Sequence, residues 1–172
     1  MASDIDIRAT LEENADLFGP VALELVQIMF GASATIHEPW RVYEYLQGDF
    51  DYTFVLYSSN RDYKSTTAIG IGYEGIAAFL GHPAAIEEAR DAFGEFANNY
   101  CALLMDDQRF VNVFGVLVQS PPEDAIMQAC FPRAWCVGGC MHVGEHPMYI
   151  GFSVQPITFR LEDLDAQLDA LV

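Results

Sequence analysis

The sequence predicts an α+β fold in which helices pack on a largely antiparallel, mixed sheet. Apolar residues recur at three- and four-residue steps over residues 1–30 and again from Pro83 onward, as they do in amphipathic helices. Elsewhere they alternate with polar residues, and these strand-like runs follow one another along the chain. Strands that follow strands favour a layer of helices on an antiparallel sheet over a βαβ repeat.

The first 30 residues are predicted to be helical, with Gly31 as the stop signal. The dipeptide Gly19-Pro20 interrupts this run. Two alternatives remain, because proline either begins a helix or bends one. The segment forms a short helix followed by a longer one starting near Pro20, or a single bent helix.

The middle of the chain contains two strand patterns and two helix patterns. Residues 35–41 are ambiguous, and His37, close to Trp40, is interpreted as a packed or capping residue. The predicted elements that follow are a strand over 50–57, a turn over 58–62, a strand over 64–73, a short helix over 74–80 and a helix from Pro83 to about Met105. Pro83 suits a first helical position, where its missing N–H is not needed.

The last third is predicted to add three strands, over 110–118, 134–140 and 148–154, separated by prolines. The tail, residues 161–172, carries leucines at steps of three and four. This spacing indicates a terminal helix that docks on its own domain, with a partner-binding or self-association face as the alternative.

Length and charge limit the classes of function. A chain of 172 residues suits one domain, and we expect it to span residues 1–172. Eight basic and 25 acidic residues give a net charge of −17, which repels nucleic-acid phosphates and anionic lipids, so neither is an expected partner. No apolar run approaches the ~20 residues that span a bilayer, and the acidic start is unlike a signal peptide. We therefore expect a cytoplasmic protein.

Four cysteines, at positions 101, 130, 136 and 140, are the candidates for thiol or metal chemistry. In the cytoplasm they are expected to be reduced. Cys130, Cys136 and Cys140, with His142 nearby, could be imagined as a metal site, but zinc modules usually show two closely spaced pairs. We interpret the cysteines as buried or incidental, predict no metal site, and keep a thiol or metal function as an alternative.

The polar residues of the helix from Pro83 are the most informative feature of the chain. At about 100° per residue, Asp91, Glu95 and Asn98 share one face, opposite a Phe-rich apolar stripe. A carboxylate beside a carboxamide can order a water molecule and bind a cation, but the two do not form a nucleophile and base. This pattern indicates a helper in hydrolysis that takes place at another molecule's site.

The spacing of these residues resembles the signature of the CheX-like phosphatases in the CheC/CheX/FliY group. That signature is Asp or Ser, three residues, Glu, two residues, Asn, 22 residues and Pro. The chain has Asp91, Glu95, Asn98 and Pro121 at those spacings. The resemblance is sharp over this motif and loose over the rest of the chain, and it implies a CheX/CheC-like single domain.

The resemblance implies a protein phosphatase that accelerates hydrolysis of the aspartyl phosphate of a CheY-type response regulator. Mg²⁺ would be supplied by the regulator, so no cofactor of the chain's own is expected. The implied catalytic residues are Glu95, which would pair with the regulator's active-site lysine, and Asn98, which would orient the attacking water. Asp91 and Glu95 would contact the phosphorylated CheY-like receiver domain. A single motif copy resembles the CheX branch, which implies a homodimer.

Two features depart from the family pattern. Asn98 is followed by Asn99-Tyr100 rather than by a small, Gly-containing stretch, and the strongly acidic surface is unusual for a protein whose partners are frequently acidic themselves. The alternative hypothesis is a non-catalytic module on the same fold that binds a regulator or a motor component.

Overall fold

The computed structural model describes residues 6–44, 50–119, 123–126 and 134–157. The helices are α1 (Ile7–Glu13), α2 (Ala15–Phe30), α3 (Tyr73–Leu80), α4 (Ile86–Asp106) and α5 (Gln108–Phe114). The strands are β1 (Arg41–Tyr43), β2 (Tyr52–Ser59), β3 (Tyr63–Ile71), β4 (Val118–Gln119), β5 (Glu123–Ile126), β6 (Cys136–Val143) and β7 (His146–Pro156). Among these helices, none has the length and apolar character needed to cross a membrane.

The strands form one sheet in the order β1-β6-β7-β3-β2, and both β4 and β5 pair with β2 at its outer edge. Every described pairing is antiparallel. The three longest ladders are β2–β3, β3–β7 and β6–β7. In the centre of the sheet, Ile69 of β3 lies opposite Phe54 on one side and Ile150 on the other. The predicted α+β class, with helices on a largely antiparallel sheet, is confirmed.

The main core lies between one face of this sheet and the helices, of which α2 and α4 pack most closely on it and on each other. Alternate residues of β2 and β3 point into this layer, as period-2 strands require. Phe54 from β2 stacks on Phe93 of α4 with ring centroids 5.4 Å apart, and Phe30 of α2 stacks on Phe96 at 5.6 Å. Helix α4 is therefore held between the sheet and α2.

The N-terminal helices separate at Asn14, earlier than the predicted break at Gly19-Pro20. The Asn14 side chain donates to the carbonyl of Thr10 at 2.8 Å and so closes the end of α1. Pro20 lies inside α2. Gly19 allows the side chain of Ile36 to pack closely on α2, because a Cβ at position 19 would lie only 3.0 Å from it.

The start of the motif helix also differs from the prediction. Helix α4 begins at Ile86 rather than at Pro83, with Ala85 as its extended N-cap residue. The first-turn acids Glu87 and Glu88 favour this start, since carboxylates stabilise the positive end of a helix dipole. The predicted end near Met105 is within one residue of the observed end at Asp106.

The predicted strand over 110–118 is wrong for most of its length, because Gln108–Phe114 is helix α5. Asp107 caps this helix by accepting from the N–H of Arg109 at 2.7 Å. Phe110 and Phe114 are both buried four residues apart, a spacing that fits a helix face as well as one face of a strand. Only Val118–Gln119 becomes a strand.

The other predicted strands and the short helix are confirmed, with shifted ends. Strands β2, β3, β6 and β7 replace the predicted 50–57, 64–73, 134–140 and 148–154, and α3 replaces 74–80. Strands β1 and β5 were not predicted. The tail over 161–172 lies outside the described residues, as do Pro121 and Cys130.

The Tyr100 hydroxyl, which donates to the Phe18 carbonyl at 3.1 Å, ties α4 to α2 in the core. The substitution Tyr100→Phe removes this hydroxyl and should lower the free energy of unfolding by about 1 kcal/mol, because one buried hydrogen bond is lost without a change in packing. Urea denaturation followed by circular dichroism measures this. Tyr57→Phe is the matched control, since Tyr57 is exposed and should change stability by less than about 0.5 kcal/mol. Equal stability of the two variants would contradict the expectation.

Candidate functional site

Helix α4 buries one side and exposes the other, as its apolar periodicity predicts. Its buried residues are Ala89, Phe93, Gly94, Phe96, Ala97, Tyr100, Cys101 and Leu104. Phe93 and Phe96 of this set pack against rings of α2 and β2, so the rotation of the helix about its axis is set by packing. The motif residues therefore have a defined direction on the surface.

The structure places Asp91, Glu95 and Asn98 together on the outward face of α4. Asp91 and Glu95 are exposed, and Asn98 is partly exposed. Glu95 and Asn98 are one turn apart, a rise of about 4.5 Å along the axis. Within the described ranges, the Asn98 carboxamide has no hydrogen-bond partner, so its donors and its acceptor are available to a ligand.

The surroundings of this face are acidic. The first turn carries Glu87 and Glu88, and Glu88 lies 3.6 Å from His82. Asp91, with a side chain 79% exposed, lies 3.7 Å from Arg90. Such contacts are weak in water. The face therefore presents a surplus of negative charge, which suits a cationic group on a partner.

Asn99 is a polar residue of this site whose contact was not predicted. Its side-chain nitrogen donates to the Glu95 carboxylate at 3.0 Å and to the Met29 sulfur of α2 at 3.7 Å. The signal for the first contact was present in the sequence, since Glu95 and Asn99 are four residues apart on a helix. The second contact could not be found from spacing, because it joins two helices.

Cys101, the cysteine of α4, is turned away from this face. Its thiol lies 2.9 Å from the Thr67 hydroxyl, beneath α4. Burial raises the pKa of the Cys101 thiol to about 11. A protonated, buried thiol is a poor nucleophile.

Strand β6 carries Cys136, Cys140 and His142. Cys136 is buried and Cys140 is half-buried; burial, together with the charge of Glu38, raises the pKa of the Cys140 thiol. His37 is exposed, and its ring stacks on that of His142 with centroids 4.5 Å apart, so the residue that was interpreted as packed or capping forms a surface ring contact. Over residues 6–44, 50–119, 123–126 and 134–157, no group of three or more His, Cys, Asp or Glu is placed to hold a metal ion.

Comparison with known proteins yields matches at the level of structure. No protein-family model and no curated protein matches the sequence. A putative chemotaxis protein from Desulfovibrio vulgaris Hildenborough has a TM-score of 0.67 at 12% identity, over 83% of this chain and 97% of that one. The chemotaxis protein CheX from Vibrio vulnificus has a TM-score of 0.67 at 11% identity, over 83% and 99%. CheX of Borrelia burgdorferi, in a complex with CheY, BeF3 and Mg²⁺, has a TM-score of 0.55 at 11% identity, over 80% and 95%.

The chain has the fold of the CheX, CheC and FliY group. The fold predicted from the motif resemblance is thereby confirmed. Identities of 11% and 12% establish the fold alone, so the roles of Asp91, Glu95 and Asn98 stay predictions. Pro121, the fourth motif residue, lies outside the described residues.

The burial of Cys101 predicts a thiol that does not react in the folded CheX-like domain. With a pKa of about 11, roughly one thiol in a thousand is ionised at pH 8. Iodoacetamide at pH 8 should leave Cys101 unmodified in the folded protein and modify it in urea, as read by peptide mass spectrometry. Cys140 is the internal control, because its partial exposure should permit faster labelling. Equal labelling of Cys101 in both states would show an accessible thiol and support the thiol alternative.

Proposed function

We propose that this protein accelerates hydrolysis of the aspartyl phosphate of a CheY-type response regulator. The observation that carries the proposal is the outward face of α4, on which the Glu95 carboxylate and the Asn98 carboxamide lie one turn apart on a CheX-like fold. The known complex of a similarly folded CheX with CheY supports the choice of partner.

The chemistry divides between the two proteins. The regulator holds the phosphoryl group and the Mg²⁺ that neutralises its charge. Helix α4 docks along the regulator's site, with Asp91 and Glu95 in contact with the receiver domain and the Glu95 carboxylate paired with its lysine. Asn98 offers an acceptor and two donors, enough to hold a water molecule in line with the phosphorus. Positioning of this kind gives an acceleration on the order of 10²-fold.

Charge favours this arrangement locally and opposes it at long range. A net charge of −17 repels an acidic partner, but a Debye length of about 8 Å at physiological salt screens distant charges. The regulator's lysine, when it is paired with Glu95, is within that distance of the neighbouring carboxylates and is attracted by them. Added salt should therefore weaken the contact at α4 while it relieves the general repulsion.

The first test is the variant Asn98→Ala, assayed with a panel of phosphorylated receiver domains. Loss of the carboxamide should remove the acceleration of phosphate loss, on the order of 10²-fold, and leave receiver binding within about two-fold, because the water is no longer oriented. Asn112→Ala is the matched control, since it removes an exposed carboxamide from α5. Decay that stays as fast as with the wild type would contradict the catalytic role of Asn98.

The second test is Glu95→Ala, which should weaken receiver binding by about ten-fold, because a charge-assisted contact is lost. Glu87→Ala is the matched control: it removes the same charge from the same helix outside the motif. Titration calorimetry with a receiver domain that carries BeF3 and Mg²⁺ in place of the phosphoryl group, which cannot be hydrolysed during the titration, measures both. Equal losses in the two variants would show that Glu95 contributes only net charge.

A wild type that binds the receiver without shortening the phosphate lifetime would instead establish the non-catalytic module.

We further propose that the chain forms a homodimer, as the single motif copy of the CheX branch implies. Two copies would present two α4 faces, each acting on one receiver. Sedimentation equilibrium of the protein alone, and with excess receiver domain, measures the stoichiometry; a monomer at all concentrations would contradict the dimer.

A further inference from the structure

Asn99, the residue after Asn98, links the Glu95 carboxylate to helix α2. Asn99 is partly exposed, and its side-chain nitrogen makes two contacts, 3.0 Å to the Glu95 carboxylate and 3.7 Å to the sulfur of Met29. A carboxamide nitrogen carries two hydrogens, so each contact can use one of them. Met29 belongs to α2, which packs on α4, so the carboxamide is held from both helices.

Chemistry fixes the orientation of the Asn99 carboxamide. Both of its neighbours, the Glu95 carboxylate and the Met29 thioether, are acceptors and cannot donate. The opposite orientation would place the amide oxygen against a negatively charged oxygen, with neither hydrogen used. The arrangement in which nitrogen faces both groups is therefore the stable one.

The contact selects one position for the Glu95 side chain. Asp91, four residues earlier on the same face, repels it, and Asn99, four residues later, attracts it. Asn99 donates to Oε1 of Glu95, and in the described part of the chain Oε2 has no hydrogen bond or ion pair. One carboxylate oxygen is thus anchored, and the other remains open to solvent.

We infer that Asn99 is a positioning residue that holds the Glu95 carboxylate ready for the partner's cation. The inference rests on the proposed function and extends it to a residue outside the motif. A glutamate side chain that is free in solution loses rotamer freedom when it is fixed at an interface, and this loss opposes binding. Anchoring by Asn99 removes part of that loss before the partner arrives, which corresponds to about three- to ten-fold in affinity.

Asn99→Leu tests the inference, because leucine has a similar shape, favours helices and keeps an apolar contact with Met29. With phosphorylated receiver as the substrate, KM should rise about three- to ten-fold while kcat stays within two-fold, since the attacking water is oriented by Asn98. Asn99→Asp should raise KM further, because it replaces both donors by a charge that repels Glu95. Asn112→Leu is the matched control: it removes an exposed side-chain bond of the same four-residue spacing, between Gln108 and Asn112 of α5, and should leave both constants unchanged.

A double-mutant cycle separates positioning from a structural role. If Asn99 acts through Glu95, Asn99→Leu should raise KM in the wild type and have no effect in the Glu95→Ala background. An equal effect in both backgrounds, or an unchanged KM in an active wild-type background, would overturn the inference. A fall in kcat with KM unchanged would also overturn it.

Failure of the proposed function has a different outcome. In that case the wild type itself leaves the phosphate lifetime unchanged for every receiver tested, and the inference falls with it. The hydrogen bond is measured separately in the ¹⁵N spectrum of the free protein, where Glu95→Gln should shift the side-chain amide resonances of Asn99. Unshifted resonances would overturn the inference whatever the assay shows.

Discussion

The aromatic packing beneath α4 is the constraint on which the rest of the site depends. Phe93 stacks between Phe54 of the sheet and Phe30 of α2, at 5.4 Å from each ring. The Tyr100 hydroxyl adds a directional bond to α2. A helix held by rings on two sides and by one hydrogen bond cannot rotate without breaking several contacts together. The outward face of α4 is therefore defined by its inward face, because this packing fixes the direction in which the polar residues leave the helix.

Because α4 is one continuous helix, fixing its rotation also fixes the distances between its exposed side chains. Residues at steps of three and four on one face are neighbours, so Asp91, Glu95, Asn98 and Asn99 lie within two turns. Three of these side chains are placed by α4 alone, whereas Asn99 also contacts α2 through Met29. The carboxylate of Glu95 is thus linked to the core through one hydrogen bond and one thioether contact. The carboxamide of Asn98 has no such link within the described residues, and it therefore keeps the greater freedom of movement.

The sequence was most informative where one pattern excluded others. Over 21 residues of α4, apolar side chains at helical spacing allow no strand interpretation, and the exposed motif face followed directly. Over the seven residues of α5, Phe110 and Phe114 fit both periods, so tertiary packing and the Asp107 cap decided the outcome. Pro20 and Pro83 were misleading for a related reason, because proline limits where a helix may begin but does not require that it begin there. The contact of Asn99 with Met29 joins residues 70 apart, and no local pattern predicts such a contact.

Helix α4 turns its thiol toward the core and its polar motif residues toward the surface. Cys101 lies on the motif helix but faces the sheet, and burial keeps its thiol protonated. The outward face has two carboxylates and two carboxamides, groups that bind cations and water. The same packing that buries Cys101 leaves Glu95 and Asn98 at the surface, because the directions of all three side chains are fixed by one rigid helix. The rotation of α4 about its axis thus determines both which group is buried, the Cys101 thiol, and which groups reach the surface, those that bind cations and water.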